Sequence, residues 1–251
     1  MVQDSTANVD PYDPIAAYDR IAPMFGRLAE QRMLYLDRVD EIIISQIPPG
    51  SQSLLDVGAG DGRRALKIAQ ARNLSEIVLL EPSQEMQHRS PTPVTFRTMR
   101  AEQLDSLHGR FDVIVCLWNV LGHVFPNAAR VEAMRQFARL ASPQGRVIVD
   151  VNHRYNAAHY GAVRTAFRFL RDRILPGEKN GDVVATWNVA GAPCSARGHV
   201  FTHREFRSLA RASGLTIEKR FVVDYANGQT RRFSLQGNIL YVLRPALTAV
   251  E

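Results

Sequence analysis

The sequence predicts an α/β fold, in which one mostly parallel, seven-stranded sheet has helices on both faces and an antiparallel last strand. Short β-branched runs alternate with helical segments between residues 53 and 151, which is typical of a parallel sheet with crossover helices. The runs are almost continuously apolar, as expected for strands buried on both faces. A short polar connection separates the last two runs, at 215–225 and 238–243, and such a connection allows antiparallel pairing.

Length and composition limit the class of protein. The 251 residues, 45% of them hydrophobic, can form one large domain with its own core. Two cysteines are too few for a disulfide framework or a zinc cluster, so we expect a reduced, cytoplasmic protein. The acidic start does not resemble a signal peptide. The longest uncharged apolar stretch, 113–126, is shorter than the ~18 residues of a membrane span.

The charge of the chain gives little support for a nucleic-acid partner. The net charge of +6 arises from 31 basic and 25 acidic residues, and the basic residues are scattered and form no long tail. We therefore expect a small-molecule substrate, with neither nucleic acid nor membrane as a partner. The sequence leaves the oligomeric state open.

The predicted elements follow one another along the chain. Residues 14–47 are predicted to be helical, because apolar residues recur with the helical period until Pro48-Pro49-Gly50 ends the run. The first strand, 53–57, leads into glycines and a helix over 63–71. The next predicted elements are strands at 77–80, 94–97, 111–117 and 146–151, with a helix at 128–141 before the last of them.

The pattern changes after residue 152. An amphipathic helix is predicted over 155–174, and the segments 183–189 and 198–201 can form a hairpin. Thr202, with Glu205 three residues later, has the pattern of a capping box that begins another helix.

The most informative segment is the glycine loop LLDVGAGDG at 54–62. Glycines allow the backbone to turn sharply and to approach a ligand closely, and the following helix directs unpaired N–H groups at the same space. A dinucleotide fingerprint would need a small residue where Arg63 stands. Asp56 and Asp61 would also repel a pyrophosphate, so the loop favours a ligand with a positive charge.

A carboxylate follows the second predicted strand. Glu81 lies 19 residues beyond Gly62, at the position from which a carboxylate can accept hydrogen bonds from both hydroxyls of a ribose. Together with the acidic glycine loop, it predicts an adenosine-type ligand that lacks a diphosphate.

Four tracts in order along the chain carry a resemblance. LLDVGAGDG, LLEPS, FDVIVCLWNVLGHV and SPQGRVIVDVN resemble the motifs of class I S-adenosylmethionine-dependent methyltransferases of the small-molecule type, which have a Rossmann-like fold. YDRIAPMFG resembles the N-terminal lid of such enzymes, and DVNHRYN more loosely resembles glycine N-methyltransferase-like enzymes. The resemblance implies that S-adenosylmethionine is the cofactor and S-adenosylhomocysteine the product, with in-line transfer of a methyl group to N or O of a small molecule.

The resemblance also implies an organisation and a set of cofactor-binding residues. We expect one domain with an N-terminal helical lid (1–50), a cofactor-binding core (51–152), an inserted cap (153–201) and the C-terminal part of the sheet (202–245). Asp56 would hold the methionine end and Glu81 the ribose, whereas Glu102, where an aspartate is common in relatives, would contact the adenine edge. The full implied set is Asp56, Gly58, Ala59, Gly60, Glu81, Pro82, Met86, Ala101, Glu102, Cys116, Leu117 and Trp118.

Candidate catalytic and substrate-binding residues lie near the strand ends and on the lid. The catalytic candidates are His123, His153 and Tyr18, and the substrate-binding candidates are Asn119, Arg154 and Tyr155. Each of them also has a structural explanation, as a hydrogen-bonded or capping residue. The following helix carries Arg164, Arg168 and Arg171, which either bind an anionic substrate or form a solvated face. No acidic pair supports a metal site, and we expect none.

Two other functions remain open from the residues alone. The only feature that supports an RNA-modifying methyltransferase is the net charge, and CLWN stands where enzymes acting on base amines commonly have N-P-P-Y or D-P-P-Y. A non-catalytic cofactor-binding protein would keep the same loop. A nicotinamide oxidoreductase is opposed by Arg63.

Overall fold

The computed structural model describes residues 10–92 and 94–246. Its strands are β1 (Ser53–Val57), β2 (Glu76–Leu80), β3 (Phe96–Arg97), β4 (Phe111–Cys116), β5 (Ala141–Val151), β6 (Asp182–Val189), β7 (Ala192–His199), β8 (Leu215–Val223), β9 (Thr230–Arg231) and β10 (Asn238–Pro245). Its helices are α1 (Pro14–Ile21), α2 (Phe25–Glu30), α3 (Met33–Gln46), α4 (Arg63–Arg72), α5 (Gln84–Gln87), α6 (Asn127–Leu140), α7 (Ala157–Tyr160), α8 (Ala162–Ile174) and α9 (His203–Ala212).

Eight of these strands form one sheet in the order β3-β2-β1-β4-β5-β10-β8-β9. Neighbours from β3 to β5 pair in parallel, whereas β10 pairs antiparallel with both β5 and β8. The predicted α/β class and the antiparallel last strand are confirmed. The predicted number of seven strands omits β9, whose two residues are too few to produce an alternating pattern.

Helices cover both faces of the sheet. On one face α3 and α4 pack against β1 and β4, with Ile43 and Ile68 fully buried. On the other face α6 and α9 pack against β5 and β10, with Phe137 and Phe206 fully buried. Because both faces are covered, the central strands are almost continuously apolar, as the sequence pattern indicated.

Three predicted boundaries are wrong. The predicted helix over 155–174 is interrupted at Gly161, whose φ of +84° lies outside the helical region, so that α7 and α8 are separate. The second strand of the hairpin is β7 at Ala192–His199, earlier than the predicted 198–201. The fifth strand begins at Ala141, before the Pro-Gly segment that was expected to precede it, and contains a register irregularity.

The α1–α2 segment (14–30) packs over the carboxyl ends of the sheet strands. Asp13 caps α1 by accepting a hydrogen bond from the Ala16 amide at 3.2 Å. Ala17 and Ile21 pack against Cys194 and Ala196 of the hairpin β6–β7. The segment is thereby joined to the hairpin, and Tyr18 of the segment lies beside Trp187 of the hairpin, with ring centres 6.1 Å apart.

The cysteines and the helix lengths were also subjects of prediction. Both cysteines, Cys116 and Cys194, are free and buried. Among the described residues, none of the helices combines the length and the apolar character that crossing a bilayer requires.

Candidate active site

Two cavities open beside the carboxyl ends of β1, β2 and β4, where open α/β sheets bind their ligands. The glycine-loop cavity has a volume of about 290 Å³ and is lined by the loop after β1, by Glu81 and by the α1–α2 segment. The hairpin cavity has a volume of about 420 Å³ and is lined by the β6–β7 hairpin, by α7 and α8 and by Tyr225. Both cavities are lined by Tyr18, Phe25, Trp118 and His123. The two cavities therefore meet at these four side chains.

The glycine loop has a backbone that requires glycine. Gly58 and Gly60 have φ angles of +76° and +59°, in the left-handed region that other residues rarely adopt. A Cβ on Gly58 would lie 2.6 Å from the side chain of Val120, and one on Gly60 would lie 3.2 Å from Met86 Cε. The amides of Gly58 and Ala59 both donate to the Leu80 carbonyl, at 2.8 and 2.9 Å, which fixes the loop against β2.

Glu81 is buried and connects the loop to the segment after β2. Its Oε2 accepts a hydrogen bond from the Gly60 amide at 2.8 Å, and its Oε1 accepts one from the Ser83 amide at 2.8 Å. Burial raises the pKa of Glu81 to about 7, although the two amide hydrogen bonds act in the opposite direction. Each oxygen retains a lone pair, so this carboxylate can still accept hydrogen bonds from two ligand hydroxyls.

Asp56 is a second buried carboxylate in the same cavity. It is 3% exposed, and its Oδ1 has no hydrogen-bond partner among the described residues. Burial raises its pKa to about 7; the nearby Arg64 guanidinium opposes this shift, and the charge of Glu81 adds to it. An unpaired buried carboxylate is unfavourable, and a positively charged ligand group would satisfy it. The carboxylates of Asp56 and Glu81 therefore fit an adenosine-type ligand that carries a cationic centre.

Tyr18 and His123 form a hydrogen-bonded pair where the cavities meet. His123 Nδ1 lies 2.8 Å from the carbonyl oxygen of Arg197, so this nitrogen carries the proton and donates it. His123 Nε2 then accepts a hydrogen bond from the Tyr18 hydroxyl at 3.3 Å. Burial lowers the pKa of His123, and burial together with the charge of Glu81 raises the pKa of Tyr18. Both groups are therefore neutral near pH 7, and the Tyr18 oxygen keeps its lone pairs for a ligand.

The structure brings most of the predicted cofactor-binding residues together. Ala101, Glu102 and Cys116 line neither cavity. Cys116 is fully buried, and burial raises the pKa of its thiol. The residues of the predicted set that line the glycine-loop cavity are Asp56, Gly58, Ala59, Gly60, Glu81, Pro82, Met86, Leu117 and Trp118.

Asn119 lies at the hairpin cavity, but its side chain is engaged with the protein. Its Nδ2 donates to the carbonyl of His199 at 3.2 Å, and its Oδ1 accepts from the amide of Asn152 at 2.9 Å. Its backbone has a φ of +64°. These contacts hold the turn after β4, which positions the adjacent Trp118.

In the tract DVNHRYN at the end of β5, Asn152 lines the hairpin cavity, but His153, Arg154 and Tyr155 line neither cavity. Arg154 pairs with Asp172 at 2.9 Å and with Glu205 at 2.6 Å, and the Tyr155 hydroxyl donates to Asp172 at 2.7 Å. His153 is buried beside Tyr155, and burial lowers its pKa to about 4. His153, Arg154 and Tyr155 therefore connect β5 to α8 and α9, away from the cavities in which His123 and Tyr18 lie.

Several lining residues were not assigned from the sequence. Phe25 lies within the tract YDRIAPMFG, which is the signal that could have identified it. Val120 likewise lies within FDVIVCLWNVLGHV, a tract that carries the resemblance, and the rest come from separate elements and share no local pattern. Residues of this group that line at least one cavity are Phe25, Arg32, Val120, Tyr160, Trp187 and Tyr225.

Comparison with a protein-family model decides the family. A model described as a methyltransferase domain matches residues 24–220, which is more than half of the chain. The chain belongs to this methyltransferase family. The predicted class I, S-adenosylmethionine-dependent type and the predicted cofactor are confirmed by this match, and the structural neighbours share the predicted fold.

Individual relatives agree with this assignment. The methyltransferase is 26% identical to a glycine/sarcosine N-methyltransferase of Halorhodospira halochloris over 125 residues, which span 44% of the chain and 46% of that protein. The alignment thus covers less than half of the relative. Two solved structures share the fold: the CcbJ methyltransferase of Streptomyces caelestis (TM-score 0.66, 16% identity, 94% of this chain and 99% of that one) and the sugar N-methyltransferase KedS8 of Streptoalloteichus sp. (TM-score 0.58, 18% identity, 88% and 92%).

Proposed function

We propose that this methyltransferase transfers the methyl group of S-adenosylmethionine to a nitrogen or oxygen of a small molecule, with an amine as the favoured acceptor. The cofactor would bind in the glycine-loop cavity and the acceptor in the hairpin cavity. One observation carries the proposal: the two cavities meet at Tyr18, Phe25, Trp118 and His123. Such a junction brings two ligands into contact while side chains exclude water, and proximity of this kind contributes about 7–11 kcal/mol.

The walls of the glycine-loop cavity support the cofactor's placement. S-Adenosylmethionine supplies a methyl group on a positively charged sulfur, which the acceptor displaces in line. Asp56 would hold the cationic methionine end, since its Oδ1 has no partner among the described residues. Glu81 would accept hydrogen bonds from the ribose, and the left-handed turns at Gly58 and Gly60 would allow the backbone to pass close to the ligand.

The Tyr18–His123 pair would position the acceptor. The Tyr18 hydroxyl donates to His123, so its oxygen is free to accept a hydrogen bond from an acceptor N–H. This contact would orient the nitrogen lone pair towards the methyl group. His123 Nε2 would keep the hydroxyl oriented by accepting its proton in a hydrogen bond. The amine attacks with its own lone pair and leaves as an ammonium ion, so the transfer step itself moves no proton.

Two observations favour an amine over a hydroxyl. A neutral amine attacks with its own lone pair, whereas a hydroxyl needs a base. No carboxylate lies among the described residues that line the hairpin cavity, and the pKa of His123 is lowered by burial, which weakens it as a base. The relatives that act on glycine and sarcosine or on sugar nitrogens are consistent with an amine. A volume of about 420 Å³ lies in the range of small-molecule sites.

The test is a transfer assay with S-adenosylmethionine labelled on the methyl group. The acceptors are a panel of small primary and secondary amines, matched alcohols of the same size, and bulk tRNA. We expect label in one or more amines and none in the tRNA. Transfer confined to tRNA would support the RNA-modifying alternative and overturn the proposal, as would an absence of transfer to every member when S-adenosylhomocysteine binds.

A further inference from the structure

The hairpin cavity contains an uncompensated group of positive charges. Arg32, Arg164 and Arg168 line it together. None of the three forms an ion pair with any residue in the described part of the chain, and the described residues that line this cavity include no aspartate or glutamate. Each guanidinium carries a full positive charge at neutral pH, so the cavity is electropositive.

Arg168 shows this arrangement most clearly because it is buried. Its exposed fraction is 9%, and its Nη1 donates a hydrogen bond to the Arg154 carbonyl at 3.2 Å. Arg154, which is similarly buried, pairs with the carboxylates of Asp172 and Glu205. Buried arginines are rare unless paired. Arg168 therefore lacks the carboxylate that its neighbour has, and an anionic ligand in the cavity would supply one.

Aromatic rings hold two of the guanidinium groups without neutralising them. Arg168 Cζ lies 4.4 Å from the centre of the Tyr160 ring, and Arg32 Cζ lies 4.6 Å from the centre of the Tyr225 ring. Both rings line the same cavity. Stacking of this kind stabilises the cation by about 0.5–2 kcal/mol and leaves its N–H donors available. The guanidinium groups are thus positioned in advance for an anion.

We propose that Arg32, Arg164 and Arg168 form an anion-binding site, and that the methyl acceptor of this enzyme is an amine that also carries a carboxylate or a phosphate. The inference rests on the proposed function, in which the acceptor occupies the hairpin cavity. The anionic group binds the three arginines, and the nucleophile lies at Tyr18. Arginine suits either anion because its planar group donates two parallel hydrogen bonds to paired oxygens.

The neighbourhood of the site agrees with this assignment. His159 lies against Tyr225, with ring centres 5.1 Å apart, and lines the cavity as well. Burial and the charges of Arg32 and Arg168 lower the pKa of His159. Arg171, the third arginine of the α8 series, faces elsewhere: it pairs with Asp172 at 3.3 Å and donates to the Asn180 carbonyl. The anion site is thus confined to the two α8 arginines that face the cavity and to Arg32.

A binding experiment tests the site without turnover. Inorganic phosphate and acetate are each titrated calorimetrically into the protein saturated with S-adenosylhomocysteine. We expect saturable binding of at least one anion by the wild type, and a tenfold or greater loss of affinity in the double variant Arg32→Gln/Arg164→Gln. Arg173→Gln on the same helix is the control, because Arg173 is exposed and lines neither cavity. The relative affinity for the two anions distinguishes a phosphate from a carboxylate ligand.

A kinetic experiment tests whether the anion-binding site selects the acceptor. Matched acceptors that differ in one charge are compared: glycine with glycinamide, and glucosamine 6-phosphate with glucosamine. For any pair that is methylated, we expect the charged member to have the higher kcat/KM, by about tenfold to a hundredfold, which corresponds to one or two hydrogen bonds to a charged group. The double variant should raise KM for the charged member at least tenfold more than it raises KM for the neutral member.

The outcomes separate the two proposals. No saturable anion binding by the wild type, equal binding in the double variant, or equal kcat/KM within a methylated pair overturns the anion site while transfer to small amines stands. Saturable, arginine-dependent anion binding without methylation of any small acceptor overturns the proposed function and leaves the site established.

Discussion

The two cavities of this methyltransferase have opposite charge. The glycine-loop cavity contains the buried carboxylates of Asp56 and Glu81, whereas the hairpin cavity is lined by three arginines and, among the described residues, by no acid. They share Tyr18 and His123, which are neutral. Because a cation and an anion each bind better in one of the two, charge alone would direct the sulfonium donor and the proposed anionic acceptor to different cavities.

The two cavities also differ in how they acquire their charge. In the glycine-loop cavity, burial raises the pKa of the two carboxyl groups to about 7, and a cationic ligand would stabilise their ionised forms. In the hairpin cavity, aromatic rings stack on permanently charged guanidinium groups. The first cavity should therefore respond to pH near neutrality, whereas the second should respond to salt, which screens the partly exposed arginines.

The largest expected effect is that of Glu81→Ala on the glycine-loop cavity. The substitution leaves the buried amides of Gly60 and Ser83 without their acceptor and removes the proposed ribose contacts. Each hydrogen bond to a charged group contributes about 1.5–3 kcal/mol, so we expect the affinity for S-adenosylhomocysteine to fall at least a hundredfold in a calorimetric titration. Glu85→Ala, at an exposed position of α5, is the control and should bind normally.

The same variant tests whether the two cavities bind their ligands independently. Phosphate or acetate binding at the hairpin cavity should persist in Glu81→Ala, because the carboxylate lies outside that cavity. If anion binding disappeared together with cofactor binding, the two cavities would be one coupled site, and the separation by charge would be incorrect.

The sequence predicts the glycine-loop cavity much better than the hairpin cavity, because the residues of the first lie close together along the chain. Residues 54–62 are contiguous, and Glu81 follows at a fixed position after β2, so the pattern along the chain already contains the site. Arg32, Arg168 and Tyr225 belong to three separate parts of the chain. Their proximity depends on how α8 and the hairpin pack against the sheet, and no periodicity reports that packing.

In the tract DVNHRYN, by contrast, the sequence predicted site residues that the structure places outside both cavities. Its position after β5 predicted that His153, Arg154 and Tyr155 would face the substrate, because ligands bind at the carboxyl ends of strands. In the structure, His153 bridges to Phe201 and the Arg154 amide donates to the Phe201 carbonyl at 2.8 Å. The partners of the Arg154 side chain lie 18 and 51 residues away in the sequence, so the pattern could not distinguish a structural ion-pair network from a binding site.

The next largest effect concerns Asp56 and tests the pH response of the glycine-loop cavity. Folding raises the pKa of Asp56 from 3.8 to about 7. Between these values the folded protein binds more protons than the unfolded chain, so the free energy of unfolding decreases as pH rises, by up to about 4 kcal/mol. Asp56→Asn removes this contribution. The ligand-free variant should therefore melt at a higher temperature than the wild type at pH 8, and the difference should shrink towards pH 4.

The affinity for the cofactor should change with pH in the opposite direction to the free energy of unfolding. A positively charged cofactor stabilises the ionised carboxylate, so the affinity of the wild type for S-adenosylmethionine should increase from pH 5.5 to pH 8. In Asp56→Asn this increase should be smaller, and the affinity at pH 8 should be about tenfold lower. Calorimetry and thermal melting at both pH values check the prediction, with the exposed Asp105→Asn as control. A variant that binds the cofactor normally and melts like the wild type at pH 8 would contradict the role given to Asp56.

The smallest expected effect is that of Tyr18→Phe, at the junction of the two cavities, where the side chains are uncharged. Tyr18→Phe removes the hydroxyl that donates to His123 at 3.3 Å and keeps the ring that packs against His123 and Trp187. We expect kcat to fall about tenfold, the loss of one hydrogen bond to the reacting group. The affinities for S-adenosylhomocysteine and for anions should stay within twofold, because each ligand keeps its charged partners. Tyr12→Phe, at an exposed position that lines neither cavity, is the matched control. A fall in either affinity with unchanged kcat would place the Tyr18 hydroxyl in ligand binding and would remove it from the transfer step.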